Sequence, residues 1–340
     1  MSSALISACD TRREVQERVE MQEKRFVVII IVLSFSIGVF LAEHVFADGV
    51  EDNASFVIID VNIKDDEREI SMLDRRELEM KRTVSENYAR ILDKKIFYLK
   101  TVGSEGIPVV FVHGNFASST WFEPSLEILP QRFKGYAIDL PSFGRSDRLE
   151  EISIDNYANY VIDFILEMEA DGVVLVGHSL GGAVAQSVVT KRPDLIDRVV
   201  LVDPAPPDGL ITPKEVYPYL EMYKGNRELL KKALMGVMPT RKEDDFLERL
   251  VDDALLMDEK CFVENARALE EYDFSDELKK TEVPHLVIVG KLDQLISEEM
   301  ARRFEKLIKN IEVKVLQEYG HSVIVENTEL FMEIFSDFID

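Results

Sequence analysis

Residues 174–184 read VLVGHSLGGAV: an apolar run, then one serine, Ser179, between Gly177 and Gly181, then a helix-compatible run. Glycine on both sides removes the side chains that would collide in a very tight turn. The residue at the apex can then be held in a strained backbone conformation with its hydroxyl pushed outward, a costly arrangement unless the hydroxyl is used. The pattern predicts a strand, a sharp turn at Ser179, and a helix starting at Leu180.

Working outward, similar runs recur: PVVFVHG (108–114), GYAIDL (135–140), DRVVLVDPA (197–205), HLVIVGKLD (285–293) and EVKVLQEYGH (312–321). Runs apolar on both faces, separated by helical stretches, describe buried parallel strands. The expected fold class is therefore α/β, a doubly wound, mostly parallel sheet. RILDKKIFYLKTVG, starting near residue 89, reads as a hairpin of two short strands leading into it. Between LVDPAP and VPHLVIVG the alternation stops, and residues 206–281 carry helical spacing broken by Pro206, Pro207, Pro213, Pro218 and Pro239. Such an insertion before the penultimate strand, with its ends returning to adjacent strands, predicts a helical cap over the sheet rather than a separate domain. The domain is expected to span 89–340.

A serine hydroxyl is a poor nucleophile near neutral pH and needs a base, usually histidine. The chain has five histidines. His44 lies beside the N-terminal apolar segment, His285 opens a strand, and His178 adjoins Ser179 and points away from it. His113 ends a strand before the HGN turn. His321, on a loop after the last strand, remains as the base. Its tautomer must be fixed by a carboxylate. Asp293, after the penultimate strand, is the preferred acid, and Asp203, after the strand before the cap, is the alternative. An oxyanion would be held by two backbone N–H groups: that of Leu180, and one from the HGNF turn, Asn115 first and Phe116 next. Phe116, Trp121 and Phe122 are candidates for an apolar substrate pocket, with a place in the core as the competing reading for Trp121 and Phe122. Tyr217, Tyr219, Met222 and Tyr223 are candidate walls from the cap.

The GHSLGG turn, the HGN turn and the order Ser, Asp, His resemble the α/β-hydrolase superfamily. A lone G-x-S-x-G arises by chance in roughly one chain in ten of this length; four features in the expected order are far more specific. HGNFASSTWFEP and IDLPSFGRSDR are similar to the capped branch that includes esterases, carbon–carbon bond hydrolases and cofactor-free haloperoxidases. That branch often has Gly-x-Gly-x-Ser after the aspartate, whereas this chain has Ser142, Phe143, Gly144, Arg145 and Ser146. The resemblance implies hydrolysis of a carboxylic ester or related acyl compound through an acyl-serine, without a cofactor. Carbon–carbon cleavage, with Arg145 or Arg148 as the cation for a substrate carboxylate, acyl transfer to an alcohol, and a non-catalytic interaction module are the alternatives.

The remaining expectations come from composition and the N-terminus. A net charge of −24 argues against nucleic acid as a partner. Cys9 and Cys261 cannot build a disulfide framework, and the histidines lack paired ligand spacing, so no metal is expected. FVVIIIVLSFSIGVFLA (26–42) follows Lys24 and Arg25 and precedes Glu43 and Asp48. Residues 1–47 are thus either a membrane anchor or a signal peptide cleaved after VFA, with Met1 or Met21 as the start. Both readings place the rest of the chain outside the cytoplasmic membrane. Residues 48–88 read as a connector. The expected substrate is a small hydrophobic ester; the oligomeric state is left open.

Overall fold

Five of the apolar runs are buried on both faces, and alternate residues explain why. In Ile107–Val112, Val110 and Val112 enter one core cluster while Val109 and Phe111 enter another. In Val173–His178, Val173 and Leu175 join the first cluster, and Val174 and Val176 the second. A strand whose side chains alternate between two cores must be apolar at every position.

The computed structural model describes residues 81–103 and 105–340. The apolar segment 26–42, and all of the expected connector before residue 81, lie outside the described residues. Among the described residues no helix is long and apolar enough to cross a membrane.

Eight strands form one sheet: β1 (Val84–Ile91), β2 (Lys94–Thr101), β3 (Ile107–Val112), β4 (Phe133–Ile138), β5 (Val173–His178), β6 (Ile196–Val202), β7 (His285–Gly290) and β8 (Ile311–Leu316). Their spatial order is β1-β2-β4-β3-β5-β6-β7-β8. The first hairpin pairs antiparallel from Val84↔Thr101 to Ile91↔Lys94. It therefore starts at Val84, inside the stretch read as connector. β2 meets β4 antiparallel, and every pair from β4 to β8 is parallel. This is the mostly parallel α/β sheet that the sequence predicts.

The order brings the carboxyl ends of β3, β5, β6, β7 and β8 side by side. These ends carry the HGN turn, Ser179, Asp203, Asp293 and the loop of His321 respectively. Open parallel sheets form their ligand crevices at this edge.

Helices pack on both faces. α1 (Glu123–Glu127) and α2 (Ile154–Glu167) precede β5, and α3 (Leu180–Lys191) follows it. Between β6 and β7 lie α4 (Tyr217–Tyr223), α5 (Arg227–Val237), α6 (Asp245–Leu255), α7 (Cys261–Glu271) and α8 (Ser275–Leu278). In α6 the apolar residues Leu247, Leu250, Val251 and Ala254 follow helical spacing and are fully buried. Its start is capped by Asp244, whose carboxylate accepts the Leu247 N–H at 2.9 Å. The buried faces of α5 and α6 join the same cluster as Val174 and Val176, so this inserted segment shares the core of the sheet. After β7 come α9 (Glu298–Ala301), α10 (Val323–Glu326) and α11 (Thr328–Ile339).

Candidate active site

Ser179 sits at φ 54°, ψ −115°, between β5 and α3. A non-glycine residue there costs on the order of 1–3 kcal/mol unless its surroundings enforce it. They do. The Ser179 N–H donates to the Val202 carbonyl at 3.0 Å, and the Ser179 carbonyl accepts from Gly182 and Ala205. The neighbouring glycines are sterically required. A Cβ on Gly177 would lie 2.4 Å from the Gly181 carbonyl oxygen, and one on Gly181 would lie 2.2 Å from that of Val112. The turn is wedged between backbones, which leaves the half-buried serine at the crevice.

His321 Nδ1 lies 2.7 Å from Asp293 Oδ2, with both side chains almost wholly buried. The other Asp293 oxygen accepts N–H groups of Leu295 at 2.7 Å and Ile296 at 3.1 Å. Burial alone would raise the Asp293 pKa, but the His321 charge and hydrogen bond, helped by those amides, bring it below the ordinary carboxylate value. Asp203 is the converse case. It is fully buried, and only its Oδ1 has a partner, the Gly290 N–H at 2.8 Å. Burial first, and the Asp293 charge second, push its carboxyl well above the ordinary value. Asp293 is therefore the carboxylate that touches the imidazole, while burial and the Asp293 charge favour the protonated form of Asp203.

The three side chains also bring one potential ligand atom each within 4.8 Å of one another. The 2.7 Å contact between His321 and Asp293 is the spacing of a shared proton. Two ligands on one zinc ion, each about 2.0 Å from it in a tetrahedral arrangement, would sit farther apart. The geometry fits a hydrogen-bonded relay better than a metal centre.

The loop carrying His321 is tied down along its backbone. Its N–H donates to the Val237 carbonyl at 2.9 Å, at the end of α5. Its carbonyl accepts from His178 Nε2 at 2.8 Å. The flanking N–H groups of Gly320 and Ser322 both donate to Glu326 Oε1. His178, the residue before Ser179, thus ties the serine turn to the His321 loop. Burial, and then the nearby His321, lower its pKa to about 3, so it serves as a neutral donor. Trp121, for which the sequence leaves pocket and core both open, is buried in the core and stacks on the His178 ring at 5.6 Å. Phe122 is likewise a core residue, packed on Phe111 of β3 at 5.0 Å.

The HGN turn approaches the serine closely. A Cβ on Gly114 would fall 3.0 Å from Ser179 Cβ. His113 is buried and neutral: Nδ1 pairs with the Gly114 carbonyl and Nε2 accepts the Leu140 N–H, while burial lowers its pKa to about 4. Phe116 has φ 54°, and its N–H is taken by Asn115 Oδ1 at 3.0 Å. That leaves Asn115 as the N–H donor of this turn. Leu180 opens α3, where an N–H has no intrahelical acceptor. Neither N–H has an acceptor among the described residues.

The Phe116 ring packs edge-on against Tyr223 of α4 and Phe262 of α7, at 5.9 and 5.3 Å. Tyr217 donates to Glu270, and Tyr219 and Met222 are exposed. Arg145 pairs with Glu86 and lies over the Phe97 ring at 3.5 Å, while Arg148 donates to the Leu256 carbonyl. Both cations considered for a substrate carboxylate are thus engaged elsewhere. Ser142, where the resemblance leads one to look for glycine, adopts φ 71°. The sequence gives no sign of a role for Asn265, Tyr157 or Glu326; each is a lone polar residue outside any motif.

Comparison with known proteins places the fold in a known family. A model described as "Alpha/beta hydrolase family" matches residues 109–334. The chain is similar to the uncharacterized hydrolase YugF of Bacillus subtilis (strain 168), 29% identical over 245 residues, covering 68% of this chain and 89% of that protein. It is also similar to the bifunctional esterase/perhydrolase DCH of Acinetobacter calcoaceticus, 29% identical over 237 residues, covering 63% of this chain and 85% of that one. Among solved structures, a thermophilic esterase superposes with a TM-score of 0.64 at 27% identity, covering 76% of this chain and 98% of the other.

Proposed function

The chain belongs to the alpha/beta hydrolase family, and on that premise we propose that it is a serine hydrolase cleaving a carboxylic ester through an acyl-serine intermediate. The observation that carries the reading is the Asp293–His321 pair at 2.7 Å, with the His321 loop hydrogen-bonded to His178, the residue before a serine held at φ 54°.

In this reading His321 Nε2 takes the Ser179 proton as Oγ attacks the ester carbonyl carbon. Asp293 stabilises the resulting imidazolium. The carbonyl oxygen becomes an oxyanion held by the N–H groups of Asn115 and Leu180. Its collapse expels the alcohol, which takes the proton from His321. Water, deprotonated by His321, then attacks the acyl-serine, and the carboxylic acid leaves as Ser179 recovers its proton.

The inserted segment acts as a cap, with Phe116, Tyr223 and Phe262 as an apolar wall that suits a small hydrophobic acyl group. The engagement of Arg145 and Arg148 favours an ester over a carboxylate-bearing carbon–carbon substrate. The charge asymmetry around residues 26–42 supports a site outside the cytoplasmic membrane; protease added to intact spheroplasts should then digest the domain.

The deciding test is hydrolysis of nitrophenyl esters of increasing acyl length by the full chain, with Ser179→Ala alongside. Loss of at least about 1,000-fold in kcat/KM in the variant is expected. Equal rates in the two proteins would refute the reading.

A further inference from the structure

The inserted segment contributes a polar side chain that reaches the oxyanion turn. Asn265 lies on α7 and is fully buried. Its Nδ2 donates to Asn115 Oδ1 at 2.8 Å, across 150 positions of sequence. Its Oδ1 accepts the Tyr157 hydroxyl of α2 at 2.8 Å. Tyr157 is also fully buried.

The orientation of each amide follows from its neighbours. Asn115 Oδ1 already accepts the Phe116 N–H, so the Asn115 atom facing α7 is an acceptor. Asn265 must then present its amino group, which turns its carbonyl toward Tyr157, a hydroxyl able to donate. Three residues from three elements form one directional chain: Tyr157 to Asn265 to Asn115. No link in it can be reversed without breaking another.

From this chain we infer that Asn265 is a positioning residue for the oxyanion hole, holding the Asn115 peptide in place from the inserted segment. The inference rests on the acyl-serine reading. The turn needs such support because Phe116 occupies the left-handed region at φ 54°, a conformation that a phenylalanine abandons readily when its surroundings loosen. The bond from Asn265 fixes the Asn115 side chain, which accepts the Phe116 N–H and so sets the peptide plane between Asn115 and Phe116. With its side chain and the following peptide both held, the Asn115 backbone resists rotation about its own N–Cα bond. The Asn115 N–H is then aimed where the oxyanion forms. Preorganised donors act on the transition state and not on ground-state binding.

A second contact gives the segment the same hold on the other side of the site, where Val237 accepts the His321 N–H. Displacement of the segment would therefore loosen the oxyanion turn and the base loop together.

The test uses the full chain with Asn265→Ala, Tyr157→Phe and the double variant, assayed on a nitrophenyl ester and on a trifluoromethyl ketone that mimics the tetrahedral intermediate. Asn265→Ala should lower kcat about tenfold, leave KM within about twofold, and raise the ketone Ki by the same factor as kcat falls. Tyr157→Phe should lower kcat about threefold, and the double variant should be no worse than Asn265→Ala. A purely structural asparagine would lower the melting temperature without separating kcat from KM, and that result, or unchanged kcat, overturns the inference. If Asn265→Ala does not fold, Tyr157→Phe decides by the same split. Labelling with a fluorophosphonate separates the two levels. A wild-type chain unlabelled at Ser179 overturns the acyl-serine reading and this inference with it, whereas a labelled wild type with indifferent variants overturns this inference alone.

Discussion

The sheet and the segment inserted between β6 and β7 are held by different forces. The sheet is locked by backbone: its central strands are fully buried, and glycines at the crevice touch carbonyl oxygens directly. The inserted segment is held mainly by side chains, with a few backbone bonds such as that from the His321 N–H to Val237 at its edges. One face of α5 and α6 is buried, and the other carries ion pairs such as Lys231 with Glu243 and Glu248, and Arg227 with Asp252. Ile211 is 82% exposed and Met222 55%. Backbone contacts cannot yield by rotating a side chain, whereas surface ion pairs contribute little and rearrange easily. The serine turn hangs from the backbone of the sheet, and the segment held mainly by side chains is the more adaptable one.

The largest effect that this contrast predicts is on the sheet side, at the triad. Asp293→Asn keeps the shape and removes the charge that stabilises the imidazolium, so kcat should fall about 10,000-fold with the melting temperature little changed. Steady-state kinetics and a thermal melt of the same sample check it. A fall of less than about tenfold would mean that Asp203 supplies the missing charge.

Next in size is Gly181→Ala. The added Cβ would meet the carbonyl oxygens of Val112 at 2.2 Å and His113 at 2.5 Å. Both belong to the β3 strand end and its turn, and neither can retreat without breaking the sheet. Urea unfolding should show a loss above about 3 kcal/mol, at the upper end for a single substitution.

Acid provides a third handle, because the histidines are unevenly distributed. None lies within residues 206–281, while His113, His178 and His285 are buried around the sheet. Burial lowers their pKa values to about 4, about 3 and about 4 respectively. Each folded-state value lies below the unfolded one of about 6.5, so the unfolded chain binds more protons between these limits. The histidine contribution to stability should be constant above about pH 6.5 and fall as the pH drops toward 4, by up to about 3 kcal/mol for each group. His285→Gln should flatten that fall, read as melting temperature against pH. An unchanged slope would place His285 in contact with water.

The same contrast explains what can be read from the chain. Buried strands announce themselves by uninterrupted apolar runs, and Ser179 and Asp293 follow runs of that kind, whereas His321 follows β8, which alternates with Glu312 and Lys314 and is only partly buried. The order of the three along the sequence matches their order along the sheet edge. Asn265 cannot be found this way: its partners Asn115 and Tyr157 are distant in sequence, and a single asparagine in an amphipathic helix has no periodicity to break. The adjacency of His178 to Ser179 is enough to point its ring away from the hydroxyl, but its acceptor, the His321 carbonyl, is a backbone atom that no residue type advertises. Trp121 follows the HGN turn in sequence, which leaves a place in a pocket and a place in the core both open. The helical turn at Ser119–Phe122 carries it down onto His178.

The smallest effect belongs to the inserted segment and tests the contrast most directly. Gly225, between α4 and α5, has φ +64°, so alanine there is disfavoured by backbone conformation. Yet nothing lies within 4 Å of the position its Cβ would take. The same chemical change that collides with two carbonyls at Gly181 meets open space at Gly225. The remaining cost is that of holding alanine in the left-handed region, about 1 kcal/mol. Urea unfolding of Gly225→Ala should show that loss, and kcat on a short ester should stay within about twofold. A loss as large as that of Gly181→Ala would mean that the link between α4 and α5 is as rigid as the nucleophile turn. The division between a backbone-locked sheet and an adaptable segment would then fail.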